Sequence, residues 1–129
     1  MSAQELQSLA NRFVEAFNKK DMATAINMLS NDLEVFDHVP YRFDNKEQFA
    51  NFLNGAMSAV EVVNWGLRQS SARVFGDAGV VNAYDTFTGV LKGGKVQTLH
   101  GRTTLMFAKQ GGQWKIVSAH FSPLPQHAG

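Results

Sequence analysis

The sequence predicts an α+β domain in which helices cover one face of a curved antiparallel sheet, and three observations carry that prediction. Apolar residues recur at helical spacing through the first third of the chain, whereas from Glu61 onward β-branched and aromatic residues dominate long segments. Those segments are joined by short glycine-bearing turns at 76–79, 92–94 and 110–112. Short turns connect antiparallel neighbours, since a parallel crossover needs about a dozen residues or more. Helices first and a meander afterward place the helices together on one side of one sheet. A sheet curled around helices leaves a cavity at its open end.

Each element has its own signal. Ser2 with Glu5 three residues on predicts a capping box, followed by the apolar stripe Leu6, Leu9, Phe13 and Phe17 with Ala10 and Ala16 beside it. Asn18-Lys19-Lys20 ends that helix. Asp21 caps a short second one carrying Met22, Ala25, Ile26 and Leu29. "DLEVFDHVPY" (residues 32–41) alternates as a strand with Leu33 and Val35 on one face. Asp44 with Glu47 starts a third helix, whose buried face is Phe49, Phe52, Leu53, Ala56, Met57 and Val60 and which Gly55 weakens slightly. The strands of the meander are expected at 62–75, 80–91, 95–109 and 113–122.

Composition narrows the function classes. A length of 129 residues suits one domain (1–129), and 44% hydrophobic with 18% charged residues suits a globular one. A net charge of +1 with scattered Lys and Arg does not recommend nucleic acid as a partner. With no cysteine there is neither a disulfide framework nor a thiol nucleophile, which suits a cytoplasmic protein. The first residues lack a signal-peptide pattern, and no apolar run reaches the roughly 18 residues of a membrane span. The four histidines have no metal-ligand spacing, so no metal site is expected.

Asp37 is the residue that asks for an explanation. It follows Leu33 and Val35 on the buried face of its strand, where a carboxylate is costly unless paired, neutral or in use. By the same alternation His38 should point to the opposite face. In the third long strand Gly101, Thr103, Leu105 and Phe107 read as the concave set, and His100, Arg102 and Met106 as the convex one. In the last strand Val117, Ala119 and Phe121 read inward, and Trp114, Ile116, Ser118 and His120 outward. The parity of residues 80–88 stays open. Either Asp85 faces the cavity beside Asp37 and raises its pKa by like-charge repulsion, or Tyr84 and Thr86 supply hydroxyls there.

The stretches "RFVEAFNKKD" (12–21), "DLEVFDH" (32–38) and "GGQWKIVSAHFS" (111–122) resemble the nuclear transport factor 2-like superfamily, the cone-shaped fold of ketosteroid isomerases and SnoaL-like cyclases. The resemblance covers nearly the whole chain. It implies that Asp37 stands where ketosteroid isomerases keep a general base. It also implies two losses: Phe13 stands where the isomerases have an oxyanion tyrosine, and Thr103 near their acidic donor. Losing one such donor typically costs on the order of 10²–10³ in rate. The family fold implies a ligand pocket drawn from Phe13, Phe17, Tyr41, Phe52, Trp65, Tyr84, Asp85, Thr103, Leu105 and Phe121, with no cofactor. Its ligand is expected to be a small hydrophobic carbonyl compound, isomerised or cyclised by Asp37. Superfamily members commonly dimerise through the convex face, which makes His100, Arg102, Met106, Trp114 and His120 interface candidates. A noncatalytic ligand-binding or oligomerisation module, like the kinase association domain, is the alternative. A hydratase would need a set such as Asp and His converging on one water.

Overall fold

The computed structural model describes residues 1–38 and 42–125; Tyr41 lies outside them. Three helices, α1 (Ala3–Asn18), α2 (Met22–Asn27) and α3 (Lys46–Ser58), accompany six strands. The strands are β1 (Leu29–Phe36), β2 (Arg42–Phe43), β3 (Val60–Phe75), β4 (Ala78–Leu91), β5 (Val96–Gln110) and β6 (Gln113–Pro123). They form one sheet in the order β2-β1-β6-β5-β4-β3. The meander β3 to β6 is antiparallel throughout, as the short turns predict. β1 joins it parallel to β6, with Val35 opposite Ala119, a pairing that the long intervening chain permits. Among the described residues no helix is long and apolar enough to cross a membrane.

The helix starts follow local chemistry. Ser2 Oγ accepts from Glu5 N at 3.0 Å while Ser2 N donates to Glu5 Oε1 at 2.9 Å, completing the capping box. Asp21 caps α2 by accepting from Thr24 N and Thr24 Oγ1. The cap of α3 is Asn45 rather than Asp44. Asn45 Oδ1 accepts from Gln48 N, and the Gln48 side chain takes the N–H of Asp44. Leu29 belongs to β1 and Val60 to β3, so each of the two helices ends two residues before its apolar stripe suggested. The core forms where the stripes meet the sheet: Leu6, Phe13, Leu33, Val35, Leu105 and Phe107 are essentially inaccessible.

Strand parity decides which side chains reach the cavity. β4 turns Val81 and Asp85 inward and leaves Asn82 and Tyr84 exposed, which settles the parity left open above. On β5, Thr103 and Leu105 are buried and His100, Arg102 and Met106 are exposed. β6 departs from simple alternation. Met106 pairs with Ser118 but Phe107 pairs with Ile116, so Val117 is an extra residue. That bulge brings Ile116 inward together with Ala119 and Phe121. Trp114 shares the parity of Ile116 and packs partly buried against the core. Both had been expected on the convex face, and the bulge is the reason they are not.

Candidate functional site

A cavity of about 160 Å³ opens between the helices and the concave sheet. Its apolar wall includes Phe17 of α1, Leu53 and Met57 of α3, and Trp65, Phe87 and Phe121 of the sheet. Asp37, His38 and Asp85 supply its polar side. For scale, a dry apolar cavity of about 150 Å³ holds a benzene ring. The volume therefore suits one six-membered ring.

Aromatic contacts set its floor. Trp65 meets Phe17, Phe121 and Phe13 edge to face at centroid separations of 5.2, 6.0 and 6.1 Å. Edge-to-face pairs add stabilisation beyond their buried area. The indole is also fixed from behind. Asn18, at the end of α1, accepts from Trp65 N at 2.6 Å and donates to Trp65 O at 2.9 Å. The side-chain amide thus stands in for a neighbouring strand along the outer edge of β3.

Asp85 is 3% exposed and fully engaged on one oxygen. Trp65 Nε1 and Thr103 Oγ1 both donate to its Oδ2, at 2.7 and 2.9 Å. Oδ1 faces the space above Gly101. Burying a carboxyl costs several kcal/mol unless hydrogen bonds replace water, and these two do so without a cation.

Asp37 and His38 lie just past the end of β1, where strand alternation no longer holds. Asp37 Oδ1 accepts from the His38 backbone N–H at 2.6 Å and lies 3.0 Å from His38 Nδ1. The first bond turns the chain, and the second aims the ring. His38 consequently shares the cavity with Asp37 instead of facing away from it. Its ring stacks on Phe121 at 6.3 Å with a 12° interplanar angle. Its Nε2 reaches the same space above Gly101 as Asp85 Oδ1. The hydrogen bond that the ring donates to Asp37, opposed by burial and aided by the charges of Asp37 and Asp85, raises the imidazole pKa above the usual 6.5.

The expected pocket residues separate into groups. Phe17, Asp37, Trp65, Asp85 and Phe121 line the cavity. Phe13 is buried beneath them, at 5.1 Å from Phe17. Thr103 acts behind the wall through Asp85, and Leu105 is core. Phe52 packs outside the cavity wall, against Phe43 and Phe49. Tyr84 points out of the opposite face at 41% exposure, because β4 presents Asp85 inward. His38, which lines the cavity, and Asn18, which braces Trp65 in its floor, are the positions that alternation did not find. The sequence clue to His38 was its place beside Asp37, where the strand ends. Asn18 was visible only as a helix stop.

The fold and this cavity place the protein in the nuclear transport factor 2-like class. The SnoaL-like domain model matches residues 6–126, and the chain belongs to that family. Among curated proteins none matches. The fold resembles a nuclear transport factor 2-like superfamily protein from Salmonella enterica, with 26% identity and a TM-score of 0.83 over 98% of this chain and 93% of that one. It also resembles a Xanthomonas campestris protein named as a calcium/calmodulin-dependent kinase II association domain, at 21% identity and a TM-score of 0.86 over 98% and 91% of the two chains. A Novosphingobium aromaticivorans protein named as a candidate scytalone dehydratase matches with 11% identity and a TM-score of 0.84 over 96% and 87%.

Proposed function

We propose that this SnoaL-like protein binds a small hydrophobic carbonyl compound and moves a proton on it, using the Asp37–His38 pair. The observation that carries this reading is the His38 ring, held by Asp37 at Nδ1 and presenting Nε2 to an apolar cavity. With Nδ1–H bonded to a carboxylate, a neutral imidazole has its lone pair on Nε2 and can accept a proton there. The charged ring can donate one from the same atom. Asp37 then acts through His38 as a positioning residue instead of meeting the substrate directly. Carbon acids beside a carbonyl suit this arrangement: the proton leaves carbon, the electron pair moves onto oxygen, and the proton returns to the same or a neighbouring carbon.

Elimination of water is the second reading, because it needs the converging acid and base that His38 and Asp85 supply. The resemblance to a protein named as a dehydratase points the same way. A noncatalytic module is less well supported, since the cavity is not filled by the aromatic side chains around it. Here Phe13 and Phe52 lie outside an open cavity and Phe121 forms part of its wall.

The test is solvent deuterium exchange into the α-carbon of cyclohexanone, followed by NMR. Accelerated exchange that falls at least about tenfold in both His38→Gln and Asp37→Asn supports the proposal. Exchange no faster than in protein-free buffer, or unchanged in His38→Gln, contradicts it.

Dimerisation through the convex face belongs to the same proposal. Phe36, Tyr84 and Met106 are 41–43% exposed there, apolar surface of the kind that marks an association site.

A further inference from the structure

Resting on the acid–base reading above, the space over Gly101 narrows the chemistry of the ligand. A Cβ added to Gly101 would lie 2.9 Å from Asp85 Oδ1, 3.2 Å from His38 Nε2 and 2.6 Å from the Ser122 carbonyl oxygen, so the two side-chain atoms border the same side of Gly101, where a larger residue would crowd them. Neither side chain is free to turn away. Asp85 is held through Oδ2 by Trp65 and Thr103, and His38 through Nδ1 by Asp37. The atoms that remain are a carboxylate oxygen, which accepts, and the Nε2–H of the charged imidazole, which donates. An oxygen that both accepts and donates satisfies the two together. A hydroxyl does this, whereas a carbonyl oxygen meets His38 but sets its lone pairs against those of Asp85.

We propose that His38 and Asp85 clamp a single hydroxyl oxygen, that of an alcohol or of the enol form of a ketone, above Gly101. The apolar body attached to that oxygen is about one six-membered ring and occupies the cavity between Phe17, Met57 and Trp65. Such a clamp holds an alcohol or an enol more tightly than the ketone. Asp85 thereby becomes a second substrate-contacting residue, and Gly101 the position that makes room for the oxygen.

Binding of cyclohexanol and cyclohexanone tests the clamp without requiring turnover. The readouts are the methyl resonances of Leu53, Met57 and Leu99, which report cavity occupancy, and the ¹⁵N shift of His38 Nε2, at a pH below 6.5. Both compounds should move the methyls. Cyclohexanol should bind about tenfold more tightly or better and carry the larger Nε2 shift. Asp85→Asn should reverse the preference toward cyclohexanone: the new amide keeps an oxygen for Trp65 and Thr103 and turns an N–H toward Gly101. Gly101→Ala should weaken cyclohexanol selectively, but its methyl also meets Ser122 O at 2.6 Å, so the unchanged volume of Asp85→Asn makes that variant decisive. Methyl shifts with no cyclohexanol preference, or with one that Asp85→Asn leaves intact, overturn the clamp while sparing the cavity. Absence of methyl shifts with either compound overturns both.

Discussion

Asp85 and His38 illustrate how neighbours decide what a side chain can do. Two neutral donors hold Asp85 in the wall, and removing one should be felt in stability. Thr103→Val is expected to cost about 1–3 kcal/mol in urea unfolding, since it strips a buried carboxyl of a bond and adds none. Threonine to serine should restore most of it. For His38 the sign follows from the raised folded-state pKa. Stabilisation by its contact with Asp37 is fully present below the unfolded value near 6.5 and is lost as pH rises through the higher folded value. Asp37→Asn should therefore narrow its stability deficit against the wild type as pH climbs through that window. Thermal unfolding across the pH range checks this, and a deficit independent of pH would contradict it. Asp85 could not be assigned to a face beforehand because both sides of residues 80–88 mix polar and apolar groups. Alternation had no hold on Asp37 or His38, since β1 ends at Phe36 and both lie beyond it.

At the scale of elements, the seam between α1 and β3 has a chemistry of its own. β3 is an edge strand, and Asn18 pairs with both backbone groups of Trp65 there, while Lys20 Nζ donates to Val60 O. An edge so covered is closed to another chain over that stretch. Asn18→Ala should cost about 1–3 kcal/mol and loosen the cavity floor, seen as broadening of the Trp65 indole resonance. Little of this was legible, because a helix-terminal Asn is ordinarily read as a stop signal. The bulge at Val117 was equally hidden: nothing in "QWKIVSAHF" breaks the alternation in sequence. By contrast the caps at Ser2 and Asp21 and the inward face of β5 were readable, because each rests on interactions a few residues long or on an unbroken two-residue period.

For the molecule as a whole, the order of elements was legible because three tight turns leave the meander a single antiparallel arrangement. The place of β1 was not, since a parallel pairing to the last strand is a long-range choice that no local signal encodes. The convex face carries the proposal made for assembly. Met106→Glu should convert a dimer to a monomer in light scattering, with the cavity and its ligand shifts preserved. A wild-type protein that is monomeric at tens of micromolar would contradict dimerisation through this face. The central claim, however, concerns one imidazole. The most direct test is a ¹⁵N titration of the histidine rings in the wild type and in Asp37→Asn, with and without cyclohexanone. The account predicts that His38 titrates above 6.5 as an Nδ1–H tautomer, that Asp37→Asn lowers this value, and that cyclohexanone perturbs Nε2. A His38 that titrates at the ordinary value in both proteins and ignores the ketone would contradict the assignment of this site.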